Sequence, residues 1–273
     1  MKGILAVLGL MAINPAASLH AQAPPPVILS LDSVTSIPRR TPPIRLLRLE
    51  DVDPVSDLVP VLTQRLPGWE EIMFSDVSTS YRIEAVDDRP AICSMSSGTA
   101  SALVLEREYD PEAYPLLRFW LRVEGPVPGG DATRKEGDDF AARIFVNFAF
   151  DSEREGVFSR LTHSVAERAK GREIPGMALN YVWGNASPEG TQLPNAYSDR
   201  VSMVVVRSGS GEAMTWQMIE RNIVDDYRAA FGQAPPPVVG VGLMTDSDDT
   251  GGAASACFGA ISAVSVEGPE QGS

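Results

Sequence analysis

Histidine and cysteine are scarce in this 273-residue chain, which holds only His20 and His163, Cys93 and Cys257. A multi-histidine metal site or a cysteine-rich zinc site therefore cannot be assembled within one chain. A Ser-His-Asp or Cys-His triad would have to use His163, because His20 lies in a segment expected to be removed. Positive charge is also short, with 23 Lys and Arg against 36 Asp and Glu for a net charge of −13. No basic patch gathers those cations, so the chain repels phosphate and nucleic acid is not an expected partner. No strand–helix–strand alternation with a Gly-rich phosphate loop is present, which removes support for a dinucleotide-binding fold. The apolar run Gly3 to Ile13 falls short of the roughly 20 residues that span a bilayer, and no other stretch is long and uncharged enough. No transmembrane segment is expected in the mature chain.

What is present begins with a targeting pattern. Lys2, the apolar run and the small-residue ending Ala21-Gln22-Ala23 have the three parts of a secretory signal peptide, with cleavage expected after Ala23. A periplasmic or secreted location follows, and export through an oxidising compartment allows a Cys93–Cys257 disulfide. Two buried free thiols acting as small core hydrophobes are the alternative. Residues 24–67 are punctuated by Pro24, Pro25, Pro26, Pro38, Pro42 and Pro43, which suits an extended lead-in strand or tether. Residues 68–267 read as one folded domain, and 268–273 as a flexible tail.

Within that domain, short β-branched and aromatic runs recur between turn residues. They are 72–77, 81–86, 90–94, 101–107, 116–123, 140–150, 177–183, 201–207, 214–219, 238–244 and 256–266. This density predicts an all-β fold, a β-sandwich or barrel of about ten or eleven strands with one or two short helical insertions. One insertion, 157–170, places Val157, Leu161, Val165 and Ala169 on one face and leaves His163 an exposed surface residue. The other starts at Asn222 as cap, sets Asp225 and Asp226 in the first turn, turns Ile223, Tyr227, Ala230 and Phe231 inward and stops at Gly232.

Strand period assigns faces. Phe140, Ala142, Ile144, Val146 and Phe148 form one apolar face, and Leu117, Phe119, Leu121 and Val123 another; both are expected to be core. The opposite positions carry Trp120, Arg122, Arg143, Asn147 and Asn180. If these strands pair in one sheet, its outer face offers an indole plate, guanidinium forks and amides, the mixture that holds sugars. The plainer reading is that alternate polar residues face water, as in any half-exposed antiparallel sheet.

Acidic motifs add two candidates. Thr245-Asp246-Ser247-Asp248-Asp249-Thr250-Gly251 spaces oxygen-bearing side chains as a calcium loop does, and Asp246, Asp248 and Thr250 are the candidate ligands of a structural calcium. Cys257 stands where an EF-hand needs a bidentate Glu, so an EF-hand is excluded, and an Asx-rich turn is the simpler alternative. Asp138, Asp139, Glu220 and Arg221 can supply the acid, base or charge stabiliser of a hydrolase or lyase, because glycoside cleavage needs paired carboxylates.

Four phrases then arrive in an ordered set. They are Asp138-Asp139-Phe140-Ala141-Ala142-Arg143, Leu179-Asn180-Tyr181-Val182-Trp183-Gly184, Glu220-Arg221-Asn222 with Asp225-Asp226-Tyr227 and Phe231-Gly232, and Gly242-Leu243-Met244-Thr245-Asp246 with Asp248, Thr250 and Gly251. Together they resemble a bacterial family known as domain of unknown function 3047, over about residues 68 to 267. The resemblance implies export and a β-jelly roll similar to galactose-binding domains and carbohydrate-binding modules. It implies no established activity. The chain departs from the family in the length of its 151–176 connection. The leading expectation is an exported β-sandwich that binds a saccharide or other cell-envelope ligand on a polar sheet face. A polysaccharide-acting hydrolase or lyase is the alternative, and a non-catalytic periplasmic assembly protein the second.

Overall fold

The computed structural model describes residues 41–50, 66–152 and 175–266, all within the compact unit that begins at Arg40. The expected signal segment, most of the proline-rich extension, the expected 157–170 helix with His163 and the expected 268–273 tail lie outside the described residues.

Thirteen strands and one α-helix are described. In chain order the first strands are β1 (Ile44–Leu47), β2 (Trp69–Met73), β3 (Ser80–Val86), β4 (Arg89–Ser97), β5 (Ala100–Tyr109) and β6 (Leu116–Val123). There follow β7 (Arg143–Phe148), β8 (Met177–Gly184), β9 (Gln192–Pro194), β10 (Val201–Ser208) and β11 (Gln217–Asn222). Helix α1 (Ile223–Phe231), β12 (Val238–Asp246) and β13 (Ala253–Val264) complete the set. All eleven expected strands are present, with ends displaced by a few residues. The additions are β1, inside the expected lead-in, and the short edge strand β9, whose terminal Pro194 is tolerated because no further strand needs its missing N–H.

The strands form two sheets, and the protein is an all-β sandwich. One has the order β11-β6-β13-β4-β3, with β1 also pairing β13; the other runs β2-β5-β12-β7-β8-β10-β9. Neighbours are antiparallel except β8 and β10, which run parallel across the 185–200 connection. Alternation dictates the core between the sheets: Leu117, Phe119, Leu121 and Val123 of β6 are fully buried, as are Ile144, Val146 and Phe148 of β7. Phe119 meets Tyr181 of the facing sheet with ring centroids 5.9 Å apart. Phe140 departs from its expected face. The chain bends at Ala141 before β7 begins, and Phe140 packs with Val182, Met203 and Val205 on the outer side of the seven-stranded sheet.

Local chemistry sets the rest. Helix α1 is capped by Asn222, whose side chain accepts from the N–H groups of Val224 and Asp225 at 3.1 and 3.3 Å. It ends at Gly232 with φ of 69°, a left-handed conformation that glycine adopts without a Cβ penalty. Cys93 and Cys257 stand opposite each other on β4 and β13 and are joined by a disulfide, which links positions 164 residues apart. Ala91, Val86 and Trp216 pack over it on the outer face of the six-stranded sheet.

Candidate functional site

Two regions collect the candidate residues. The first is an acidic rim at one end of the seven-stranded sheet, where β12 ends at Asp246 beside the start of β7. Arg143 is 4% exposed there and donates through Nε to Asp246 Oδ1 at 2.8 Å, while its Nη2 bonds Asp246 Oδ2 and the Asp138 carbonyl. Its Nη1 reaches Asp138 Oδ1 at 3.4 Å, and its guanidinium lies 4.4 Å from the centroid of the Phe140 ring. Asp138 also accepts from Asn195 Nδ2 at 2.9 Å. Asp139, fully buried, accepts from the N–H groups of Asp249 and Thr250 at 3.2 and 2.6 Å. A carboxylate buried this deeply persists because polar hydrogens surround it. Gly130 permits the close approach of the covering loop, since a Cβ there would come within 2.9 Å of the Asp139 carbonyl oxygen.

Electrostatics follow from this crowding. Burial pushes the Asp246 carboxyl up to about 6, against the opposing pull of Arg143. Burial also raises Asp248, with Asp139 and Asp138 adding to the rise. For Arg143 burial pulls downward, but Asp246 and Asp138 outweigh it and hold the guanidinium firmly charged.

The expected calcium ligands separate here. Asp246 and Asp248 come together with Asp139, one carboxylate oxygen from each lying within 4.8 Å of the others. Thr250 instead presents its N–H to Asp139, and its Oγ1 accepts from Gly252 N at 3.2 Å. Ca²⁺ takes six to eight oxygen ligands. Both oxygens of Asp139 and both of Asp246 already accept protein hydrogen bonds, and the Arg143 guanidinium touches the cluster. Asp139 and Asp246 are thus already held by hydrogen-bond donors of the protein itself.

The remaining candidates do not join this rim. Trp120 and Arg122 belong to β6 in the six-stranded sheet, whereas Arg143, Asn147 and Asn180 belong to the seven-stranded one, so the expected single face does not form. The Arg89 guanidinium lies 3.8 Å from the Trp120 ring centroid and 5.4 Å from that of Trp216. Arg122 Nε donates to the Met214 carbonyl at 3.2 Å and stands 3.6 Å from Asp87 Oδ2. Glu220 pairs with Arg118 across β11 and β6 on the surface. Arg221 binds Asp226 through Nε at 3.0 Å and Nη2 at 2.5 Å, and Tyr181 Oη donates to the same carboxylate at 2.8 Å. That network fastens α1 to the sandwich. The expected catalytic set is thus divided between the two sheets, with Asp138 and Asp139 beside β7 and Glu220 and Arg221 on β11.

The second region is a trough of about 650 Å³ on the outer face of the seven-stranded sheet. It is lined by the small residues Ala102, Gly240 and Ala178 and by the apolar side chains of Ile72, Phe74, Val104, Phe145 and Val201. Asn147, Glu106 and Glu108 supply its polar groups together with Arg107. Asn147 is the one expected ligand-contact residue among those lining it. Asn180 stands opposite Phe145 in the β7–β8 register, is 1% exposed, and its Oδ1 has no hydrogen-bond partner among the described residues. The acidic lining of β5 and Phe74, just past β2, were not among the residues expected from the sequence. The alternation of Ala102, Val104, Glu106 and Glu108 was the signal in β5, one that reads equally as a half-exposed strand.

No curated protein matches this chain. The model of the family described as protein of unknown function (DUF3047) matches residues 67–262, from the entry to β2 almost to the end of β13, and the chain belongs to that family.

Proposed function

We propose that this protein is an exported binding module that holds a saccharide, or a related cell-envelope ligand, in the trough of its seven-stranded sheet. The observation that carries this reading is the trough, whose volume of about 650 Å³ falls within the roughly 300–1,000 Å³ of small-ligand sites. Phe145 and Phe74 offer apolar plates to the C–H faces of a pyranose, while Asn147 and Glu106 bond its hydroxyls. The binding face is therefore centred on Phe145 and Asn147. A jelly roll of the carbohydrate-binding-module kind, which the family resemblance implies, would carry its ligand on a sheet face, and the parallel β8–β10 pair departs from a wholly antiparallel roll. Fold likeness alone does not fix function. Export is supported by the signal pattern of residues 1–23 and by the Cys93–Cys257 disulfide, a bond that persists in oxidising compartments.

The experiment is native mass spectrometry of the protein with a panel of neutral and anionic envelope saccharides, repeated with Phe145→Ala and Asn147→Ala. Intact complexes that weaken in both variants are expected. Cleaved products would replace this reading with a hydrolase or lyase. An absence of complexes across the panel would replace it with a protein-binding role.

A further inference from the structure

We propose that the trough selects an unbranched glycan chain that is neutral or bears amino groups, and discriminates against chains carrying carboxylates. This inference rests on the saccharide reading above and names the class of saccharide.

Length is the first ground. The lining residues come from β2, β5, β12, β7, β8 and β10, which are consecutive neighbours in the sheet. The trough therefore runs across the strands. At about 4.8 Å between neighbours, five spacings make a length of about 24 Å, more than one sugar ring occupies. Ala102 of β5, Gly240 of β12 and Ala178 of β8 carry no side chain larger than a methyl, and Phe145 and Asn147 of β7 stand between them.

Charge is the second ground. Glu106 and Glu108 line the β5 section, and Arg107 is the one cation among the described lining residues. Glu70 of β2 stands opposite Val104, on the strand face that Ile72 presents to the trough, and adds another carboxylate to that end. The whole chain carries a net charge of −13, so the long-range field has the same sign. A polyuronate laid along this path would set its carboxylates against Glu106 and Glu108, and like charges placed together at an interface oppose binding. A neutral chain escapes that repulsion. An amino-bearing chain gains attraction that salt weakens. Toward β7 and β8 the lining turns to Phe145, Ala178 and Asn147, which suit C–H faces and hydroxyls rather than charge.

The test is calorimetric titration of the full chain with glucan, chitosan and polyuronate oligosaccharides of matched length, and with the monosaccharides, at low and high salt. The glucan chain is expected to bind with a Kd that salt leaves unchanged, and the chitosan chain to bind more tightly at low salt. The polyuronate is expected to bind at least about tenfold more weakly than the glucan at low salt. Substituting Glu106→Gln and Glu108→Gln together is expected to close that gap, read as the ratio of the polyuronate and glucan Kd values, so that a weakened Glu106 bond to hydroxyls common to both chains cancels; both side chains are exposed and the fold does not depend on them. Equal binding of polyuronate and glucan by the native chain would overturn the charge selection. So would a gap that survives the double substitution. A monosaccharide that binds as tightly as its oligosaccharide would overturn the length. Failure of all three chains to bind would overturn the saccharide reading itself.

Discussion

Arg143 and Asp246 lie side by side at the ends of neighbouring strands, the guanidinium Nε donating to the carboxylate at 2.8 Å, and they are only 4% and 3% exposed. A charge pair so deeply buried is costly to form and more costly to break, because loss of one member leaves the other without its counter-charge. Arg143→Ala is expected to destabilise the fold by about 3–5 kcal/mol, because Asp246 and Asp138 stay buried without their cation, and Arg143→Met, which keeps the stem and removes the charge, by a similar amount. Urea denaturation measures both. A loss below about 1 kcal/mol for either variant would mean that the rim is not a structural lock, and would return Arg143 to the ligand-binding residues.

The same carboxylate gives stability a pH dependence. Burial pushes Asp246 up to about 6 from an ordinary value of 3.8, so the folded state holds its proton more tightly than the unfolded state. This group's contribution is fully present below about pH 4, falls as pH rises to about 6, and is absent above that. Burial raises Asp248 as well, which acts in the same direction. Denaturation midpoints taken through this window are expected to fall more steeply with pH in the native chain than in Asp246→Asn. Parallel profiles would contradict the raised value.

Asp226 and Glu220 are expected to differ sharply although both are paired with arginine. Asp226→Ala leaves the buried Tyr181 hydroxyl without its acceptor, at a cost of about 1–3 kcal/mol, in addition to the lost Arg221 pair. Glu220 meets Arg118 on the surface, where an ion pair contributes about 0–1 kcal/mol, so Glu220→Gln should leave Tm nearly unchanged. Thermal melts of the two variants decide this. Equal destabilisation would contradict the assignment of Asp226 as the anchor of α1.

Calcium should leave Tm unchanged, because the oxygens of Asp139 and Asp246 are engaged by backbone N–H groups and Arg143. An ion bound only by the folded state would raise Tm with concentration. Melts in saturating calcium and in chelator make the comparison. A rise that disappears in Asp248→Asn would place the ion at the Asp139, Asp246 and Asp248 cluster after all.

Strands such as β6 were legible in the sequence because one face is buried and alternation records it, as in Leu117, Phe119, Leu121 and Val123, whereas β8 and β12, buried on both faces, were legible as short apolar runs between turn residues. The capped helix was legible because Asn222 and Gly232 act on their own neighbours. Sheet membership was not. Trp120 and Arg143 occupy equivalent places in the alternation of their strands, and only pairing between distant segments sends β6 to one sheet and β7 to the other. Period also names a face without saying what covers it: Arg143 stands on the polar series of β7, yet Asp138 and Asp246 close over it. The acidic loop was ambiguous for a similar reason. Its spacing suits a cation, but Thr250 turns its N–H to Asp139, 111 residues away, so an anion of the protein itself organises the loop.

The trough is tested most directly by calorimetric titration of a neutral oligosaccharide into the native chain, Asn147→Ala and Trp120→Ala, the last two removing polar and aromatic candidates on opposite sheets. Native affinity is expected to survive in Trp120→Ala and to fall about tenfold in Asn147→Ala, the scale of one lost hydrogen bond. Affinity lost in Trp120→Ala and kept in Asn147→Ala would move the binding face to the six-stranded sheet and contradict a site in the trough.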